Sequence, residues 1–198
     1  MKNQQLAKKL ITLHEADFVL RQKLIDAKTL SDGYHPEMAT LHNQNAVALQ
    51  EIIDQIGFPT VDRVGKQAAD ATFTIVQHAI EQPLFMNNCL QLLQNIKNPI
   101  LQVQLQMAFL SDRIAIFQNK AQQFGRQFDW DETEKMCPNT IDDLRQVNIR
   151  RNNIGLNSIE EQTLLMQNRV VAENQKPPID FQDRKTKFEL WKKKVGWI

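Results

Sequence analysis

Residues 36–56 read PEMATLHNQNAVALQEIIDQI, and they indicate the class of fold. Apolar side chains recur here at the spacing of one helical face, at Met38, Leu41, Leu49, Ile52 and Ile56. Proline suits the first turn of a helix, and the breaker residues Gly57-Phe58-Pro59-Thr60 end the pattern. We therefore predict a long amphipathic helix over residues 36–56.

The same periodicity extends along most of the chain. Further main helices are predicted over about residues 4–26, 65–81, 83–96 and 98–117, and Ser31-Asp32-Gly33 breaks the first of them. Residues 124–137, FGRQFDWDETEKMC, have no helical period and predict an ordered polar loop. Shorter helices are expected over residues 141–153, 158–172 and 184–195.

These elements predict an all-α fold with five main helices, a structured polar loop and a docked C-terminal helix. We expect a single helical domain over residues 1–175. A hinge at Lys176-Pro177-Pro178 then leads into a basic aromatic segment, residues 176–198, that packs on the same domain. The short connections favour antiparallel packing of neighbouring helices.

Composition narrows the class of protein. The 198 residues are 42% hydrophobic and 24% charged, an ordinary globular balance, and the net charge of +1 gives no field that would recruit nucleic acid. Cys89 and Cys137 are the only cysteines, which predicts free thiols in a reducing compartment. No apolar stretch is long enough to span a membrane. We expect a cytoplasmic location.

Polar side chains fall where helical-wheel positions call for apolar ones. In the first helix Asp17 and Arg21 share the arc of the leucines, and at four residues apart they can pair. In the second helix Asn45 lies at the centre of the apolar arc and His42 at its margin. His78 lies at the boundary of the third helix. Buried polar groups without partners are costly, so these side chains need one another or a ligand.

Gln77 and Arg113 are two further candidate site residues. Gln77 falls on the polar face of the third helix, whereas Arg113 lies among apolar neighbours on the fifth. A buried guanidinium keeps its proton and needs fixed acceptors. We expect Arg113 to be buried and paired with a carboxylate, Asp17 being the best candidate, or with the side-chain amide of Asn45 or Gln127.

The polar positions allow two interpretations. They form either a satisfied core network that fixes helix register, or the floor of a ligand pocket between helices. For any one residue we favour the core network. For the residues taken as a set we slightly favour the ligand pocket. In the pocket, His42 or His78 serves as acid or base and Asp17 orients it. Ligand-binding roles fall to Arg21, Asn45, Gln77, Arg113 and Gln127.

Metal binding is an alternative. His35, Glu37 and His42 do not converge on one ion from a regular helix, and the chain has no HExxH motif. A site built from His42, His78 and one carboxylate on another helix is geometrically allowed. We nevertheless expect no cofactor and no metal ligands.

The C-terminal segment allows two interpretations as well. Arg184 and the lysines that follow it make this segment basic, which suits a contact with nucleic acid, acidic lipid or a protein. The aromatic side chains Phe188, Trp191 and Trp197 instead favour a helix that docks on its own domain with its lysines in solvent. We favour docking.

A set of short motifs resembles one bacterial family. The motifs are His42-x-x-Asn45, Gly57-Phe58-Pro59-Thr60, Val64-Gly65, residues 75–80, Asp112-Arg113-Ile114, Gln122-x-Phe124-Gly125-Arg126-Gln127, Ile141-Asp142, Arg150-Arg151, Gly155-Leu156 and the closing Trp191…Val195-Gly196-Trp197. In combination they resemble the domain of unknown function 6624, from about Asp17 onward. The family pattern has Tyr-Gly-Thr-Gln at residues 124–127, so this chain loses two hydroxyl groups and gains a charge there. The resemblance implies no reaction, but it coincides with His42, Asn45, His78 and Arg113 and adds Gln127.

These observations favour one function and leave two others open. We expect an inter-helical polar pocket that binds a small molecule or peptide, anionic or amide-bearing, with histidine acid–base catalysis as an option. A protein-interaction module in the basic aromatic tail and a metal-dependent enzyme using His42 and His78 are the alternatives. No membrane or nucleic-acid partner is expected, and the oligomeric state is left open.

Overall fold

The computed structural model describes residues 3–30 and 34–198, so the predicted break at Ser31-Asp32-Gly33 lies outside the described residues. Within these ranges the chain forms nine helices and one two-stranded sheet. The predicted all-α class is confirmed. The chain divides into two compact units, residues 1–95 and 96–198.

The first unit is helical throughout its described residues. Its helices are α1 (Gln4–Asp26), α2 (Pro36–Ile56), α3 (Val61–Val64), α4 (Lys66–His78) and α5 (Pro83–Gln94). The bounds of α1 and α2 agree with the sequence prediction. Pro36 occupies the first turn of α2, where its missing N–H is no loss, and Nδ1 of His35 accepts a hydrogen bond from the backbone N–H of Glu37.

The predicted third helix is divided and shortened. Gly65 has φ +83°, a conformation that favours glycine, and it separates α3 from α4. Helix α4 ends at His78 and not near residue 81, because Ala79 leaves the helical conformation. The ring of His78 is therefore carried by the last residue of a helix.

Helix α4 packs against α1, α2 and α5, and α1 also packs against α2. Buried side chains from all four of these helices form the core, including Leu10, Leu24, Leu49, Ile52, Ile75, Val76, Met86 and Leu93. Burial of such aliphatic side chains supplies most of the stability, on the order of 2 kcal/mol each. This core fixes the helices on which the polar side chains stand.

The second unit contains four helices and a hairpin. Its elements are α6 (Leu101–Phe117), β1 (Phe128–Trp130), β2 (Met136–Pro138), α7 (Leu144–Asn153), α8 (Ile159–Ala172) and α9 (Phe181–Val195). The hairpin pairs Phe128 with Pro138 and Trp130 with Met136 in antiparallel register. It occupies the segment for which the sequence predicted an ordered polar loop.

Asp112 on α6 holds the segment that leads into the hairpin. Its fully buried carboxylate accepts hydrogen bonds from the backbone N–H groups of Gln123, Phe124 and Arg126 at 2.8–3.2 Å. Burial raises the pKa of the Asp112 carboxyl, although these three amides lower it. The segment is thus ordered by one carboxylate and not by a helical or strand pattern.

The C-terminal helix docks in the second unit. The ring of Phe117 on α6 lies 4.9 Å from Trp197, 5.5 Å from Trp191 and 6.2 Å from Phe188, centroid to centroid. Lys192 is buried with its ammonium 2.6 Å from a carboxylate oxygen of Glu189. The docked position predicted for this helix is confirmed. The predicted separation of residues 176–198 from residues 1–175 by a hinge stays a prediction.

Two further sequence predictions meet the structure here. Both Cys89 and Cys137 are free thiols, as predicted. None of the helices in the described part of the chain combines the length and the apolar character that a membrane span requires.

Candidate functional site

Three helices of the first unit each contribute one side chain to a polar cluster. Asp17 comes from the middle of α1, His42 from the second turn of α2 and His78 from the end of α4. Asp17 is 3% exposed and His42 is 6% exposed, whereas the side chain of His78 is 37% exposed. The cluster is therefore buried on one side and open to solvent at His78.

The Asp17 carboxylate lies between the two imidazole rings. Its Oδ2 is 2.5 Å from Nδ1 of His78, in a short hydrogen bond, and its Oδ1 is 3.1 Å from Nε2 of His42. The second contact is close but lacks the alignment of a hydrogen bond, so Nε2 of His42 is buried without a hydrogen-bond partner in the described chain. The two rings themselves lie 4.8 Å apart, centroid to centroid.

Opposing effects act on the acidity of Asp17. Burial raises the pKa of its carboxyl, because the charged form loses contact with water. The contacts with His42 and His78 more than offset this, so the pKa lies well below its usual range. The cluster therefore contains a carboxylate that stays ionised at neutral pH.

Tyr34 completes the cluster, and the sequence analysis missed it. Its hydroxyl oxygen is 2.7 Å from Nδ1 of His42, and it donates to the backbone carbonyl of His78 at 3.3 Å. The Tyr34 ring stacks on the His42 ring with 5.6 Å between centroids. No helical period covers this position, which precedes α2. Its one distinguishing signal was that the chain contains a single tyrosine.

The atoms of this cluster form a ligand set for a metal ion. One carboxylate oxygen of Asp17 and one ring nitrogen from each of His42 and His78 all lie within 4.8 Å of one another. Two imidazoles and a carboxylate are the ligands of the facial sites that bind transition metals and leave positions open. The sequence analysis had kept this combination as an alternative while expecting no metal.

Other predicted site residues of the first unit lie elsewhere. Asn45 is buried, 2% exposed, and donates to the backbone carbonyl of Leu13 on α1 at 3.2 Å. Arg21 is exposed, so its expected inward placement is wrong, and the expected pairing with Asp17 is replaced by the two histidines. The long arginine side chain can leave the margin of an apolar arc and reach water.

Gln77 is buried, so its expected position on a polar face is also wrong. The physical reason is that α4 packs against α1, α2, α3 and α5, and its supposed polar face meets protein and not water. Whether Asn45, Arg21 or Gln77 contacts a ligand stays a prediction.

The remaining two predicted residues belong to the second unit. Arg113 on α6 is half-buried, and its pairing with Asp17, Asn45 or Gln127 stays a prediction. Gln127 is half-buried just before β1; its backbone N–H donates to Oε1 of Gln122 at 2.7 Å. The side-chain Nε2 of Gln127 is buried without a hydrogen-bond partner in the described chain.

The second unit also has an open, apolar depression on its surface. It is lined by Pro138, Ile141, Leu144, Ile159, Glu160, Thr163 and Leu164. None of the predicted site residues lines it. The three side chains predicted to be catalytic instead lie together in the first unit, and we call Asp17, His42, His78 and Tyr34 the Asp–His cluster.

The fold and the Asp–His cluster define a helical protein with a buried histidine–carboxylate centre. The chain belongs to the family of unknown function DUF6624, whose family model matches residues 4–172. The resemblance found in the sequence motifs is confirmed. Neither the curated proteins nor the solved structures include a significant match to this chain.

Proposed function

We propose that the Asp–His cluster binds a divalent transition-metal ion and that the protein is a metal-dependent enzyme. The observation that carries this proposal is the environment of the Nε2 atom of His42. This nitrogen is buried, lies 3.1 Å from Oδ1 of Asp17, and has no hydrogen-bond partner in the described chain. A buried imidazole nitrogen and a carboxylate oxygen that lie close together without an aligned hydrogen bond suit two ligands of one metal ion.

Each protonation state of His42 leaves this nitrogen unsatisfied. With the proton on Nδ1, the Nε2 lone pair faces a lone pair of Asp17. With a proton on Nε2, the buried N–H lies 3.1 Å from Oδ1 of Asp17 but outside the alignment of a hydrogen bond. An unsatisfied buried polar group costs about 1–3 kcal/mol. A metal ion ligated by both Nε2 and the Asp17 carboxylate removes that penalty.

The ligand types favour a transition metal. Imidazole nitrogen suits Zn²⁺, Fe²⁺, Cu²⁺ and Ni²⁺, whereas Mg²⁺ and Ca²⁺ prefer oxygen ligands. Three protein ligands are typical of catalytic sites, in which a further position is left for water or substrate. The half-exposed side chain of His78 supports access to that position from solvent.

A metal site of this kind supports general types of metal-ion catalysis. A bound metal ion of this kind lowers the pKa of a bound water or polarises a carbonyl or phosphoryl oxygen. In this chain Asp17, His42 and His78 would hold the ion, and the burial of Asp17 and His42 would exclude bulk water from one side of it. We propose a small-molecule or peptide substrate, anionic or amide-bearing, and a cytoplasmic location.

A second candidate function rests on a different contact. The 2.5 Å hydrogen bond between Asp17 and His78 resembles the carboxylate–imidazole pair that orients a general base. Because His78 is half-exposed, its ring can exchange a proton with a substrate directly. In this alternative the cluster acts without a metal ion, and Asp17 positions His78. A protein-interaction role for the basic side chains of α9 stays a prediction.

Isothermal titration calorimetry with Zn²⁺ separates the two candidates. Chelator-treated protein should bind one Zn²⁺ per chain, and His42→Ala should weaken binding at least about 100-fold, because a direct ligand contributes more than an outer contact. His14→Ala is the matched control, since His14 lies on α1 without a place in the cluster. Circular dichroism confirms that each variant folds. Absence of one-site binding would overturn the metal proposal and leave the Asp17–His78 pair.

A further inference from the structure

We infer that Tyr34 is a positioning residue that fixes the proton of His42 on Nδ1 and thereby presents Nε2 to the metal ion; this inference rests on the proposed metal centre. Tyr34 lies outside the ligand set itself. Its hydroxyl contacts two of the three proposed ligands. The contacts are with Nδ1 of the His42 ring and with the backbone carbonyl of His78.

The direction of these two hydrogen bonds follows from the proposed metal ligation together with the single proton of the phenol. A phenol has one proton to donate, and a backbone carbonyl can only accept. The His78 carbonyl already accepts from the backbone N–H of Ile80 at 2.8 Å and takes the Tyr34 proton as a second bond. With Nε2 of His42 on the metal ion, Nδ1 carries the ring proton, and the Tyr34 oxygen accepts it in the 2.7 Å bond.

This proton position decides which nitrogen can bind a metal ion. A neutral imidazole with its proton on Nδ1 has its lone pair on Nε2, the nitrogen beside Asp17. Metal-ligating histidines regularly donate their second N–H to an outer partner that sets the tautomer and ring orientation. Tyr34 fits that role, and its ring stacking on His42 restricts rotation of the imidazole.

The same hydroxyl also joins two elements of the site. Tyr34 lies two residues before the start of α2, which carries His42, and His78 is the last residue of α4. The side chain of Tyr34 therefore links the ring of His42 to the backbone of His78. Removing the hydroxyl should loosen the site without removing any ligand.

The test compares Tyr34→Phe with the unsubstituted protein. We expect Tyr34→Phe to bind Zn²⁺ about 10–100-fold more weakly, the range typical of lost outer contacts. Thr40→Val is the control, because it removes a hydroxyl from the same region that bonds only the Pro36 carbonyl; its Zn²⁺ affinity should not change. Histidine ¹⁵N NMR of the Zn²⁺-bound protein should show Nε2 of His42 as the metal-bound nitrogen and the proton on Nδ1, and Tyr34→Phe should lose that preference.

The single tyrosine gives a second readout. Biosynthetic 3-fluorotyrosine labels only Tyr34, so ¹⁹F NMR should show one resonance that shifts until one equivalent of Zn²⁺ is bound. His42→Ala should abolish the shift. The inference is overturned if Tyr34→Phe binds Zn²⁺ as tightly as the unsubstituted protein, or if His42 carries its proton on Nε2. If the unsubstituted protein fails to bind Zn²⁺, the proposed function is overturned as well. The Zn²⁺ titration of the unsubstituted protein alone distinguishes that outcome from a failure of the inference on Tyr34.

Discussion

Asp17 and His78 lie 61 residues apart in the chain, and their side chains meet at 2.5 Å, Oδ2 to Nδ1. The contact joins the middle of α1 to the last residue of α4. Asp17 is buried, and its carboxylate is also the nearest charge to Nε2 of His42. Both candidate functions therefore depend on this one carboxylate.

Replacing Asp17 by asparagine keeps the size of the side chain and removes its charge. We expect the free energy of unfolding of the metal-free protein to fall by about 1–3 kcal/mol, because the His78 ring loses the charged acceptor of its hydrogen bond. Urea unfolding followed by circular dichroism measures this. Asp26→Asn is the control, an exposed carboxylate at the end of the same helix, and should stay within about 0.5 kcal/mol. Asp17→Asn protein with unchanged stability would show that the contacts of Asp17 contribute nothing to folding.

Asn45 should behave as a structural residue. Its side-chain amide is buried and donates to the Leu13 carbonyl, which ties α2 to α1. Asn45→Ala should lower the free energy of unfolding by about 1–3 kcal/mol and leave the Zn²⁺ affinity of the folded protein unchanged. Calorimetry and urea unfolding on the same sample separate the two effects. A loss of Zn²⁺ affinity equal to that of His42→Ala would instead place Asn45 in the site.

Cys89 should make stability depend on alkaline pH. Burial raises the pKa of its thiol from 9.0 to about 12, so the unfolded chain releases this proton at a lower pH than the folded protein. The stabilisation is complete below about pH 9 and is lost as the pH rises from there towards 12. Between pH 8 and pH 10 the unsubstituted protein should lose about 1 kcal/mol more than Cys89→Ala. Equal losses, measured by urea unfolding at both pH values, would contradict this.

Trp197 should matter for stability and its exposed neighbour Lys193 should not. The indole is 6% exposed and lies 4.9 Å from the Phe117 ring. Trp197→Ala should cost about 3–5 kcal/mol, because it leaves a cavity in the second unit. Lys193→Ala, on an exposed position of α9, should stay within about 0.5 kcal/mol. Similar small effects from both variants would show that the aromatic contacts do not hold the tail in place.

Helix periodicity predicted the scaffold because burial of one apolar face acts within each helix. It located α1 and α2 with their full bounds, and it placed Asp17 and Asn45 inside. It failed for Gln77, since a single helical wheel does not show that α4 packs against four neighbouring helices. It also failed for the hairpin, whose approach is ordered by hydrogen bonds to the distant carboxylate of Asp112.

The candidate site could be predicted only in part for a related reason. His42 and His78 were identified as polar residues at the margins of apolar arcs, but their distance from Asp17 is a property of three packed helices. Tyr34 stands outside every helix, so no periodic pattern could assign it a face. Tertiary packing decided which of the polar residues contact one another.

Crystals grown with Zn²⁺ test the metal proposal most directly, through an anomalous difference map collected at the zinc absorption edge. We predict one peak in the first unit, about 2.0–2.2 Å from Nε2 of His42, Nδ1 of His78 and a carboxylate oxygen of Asp17. A map without a peak there, in which Asp17 keeps its direct hydrogen bond to His78, would contradict the metal centre.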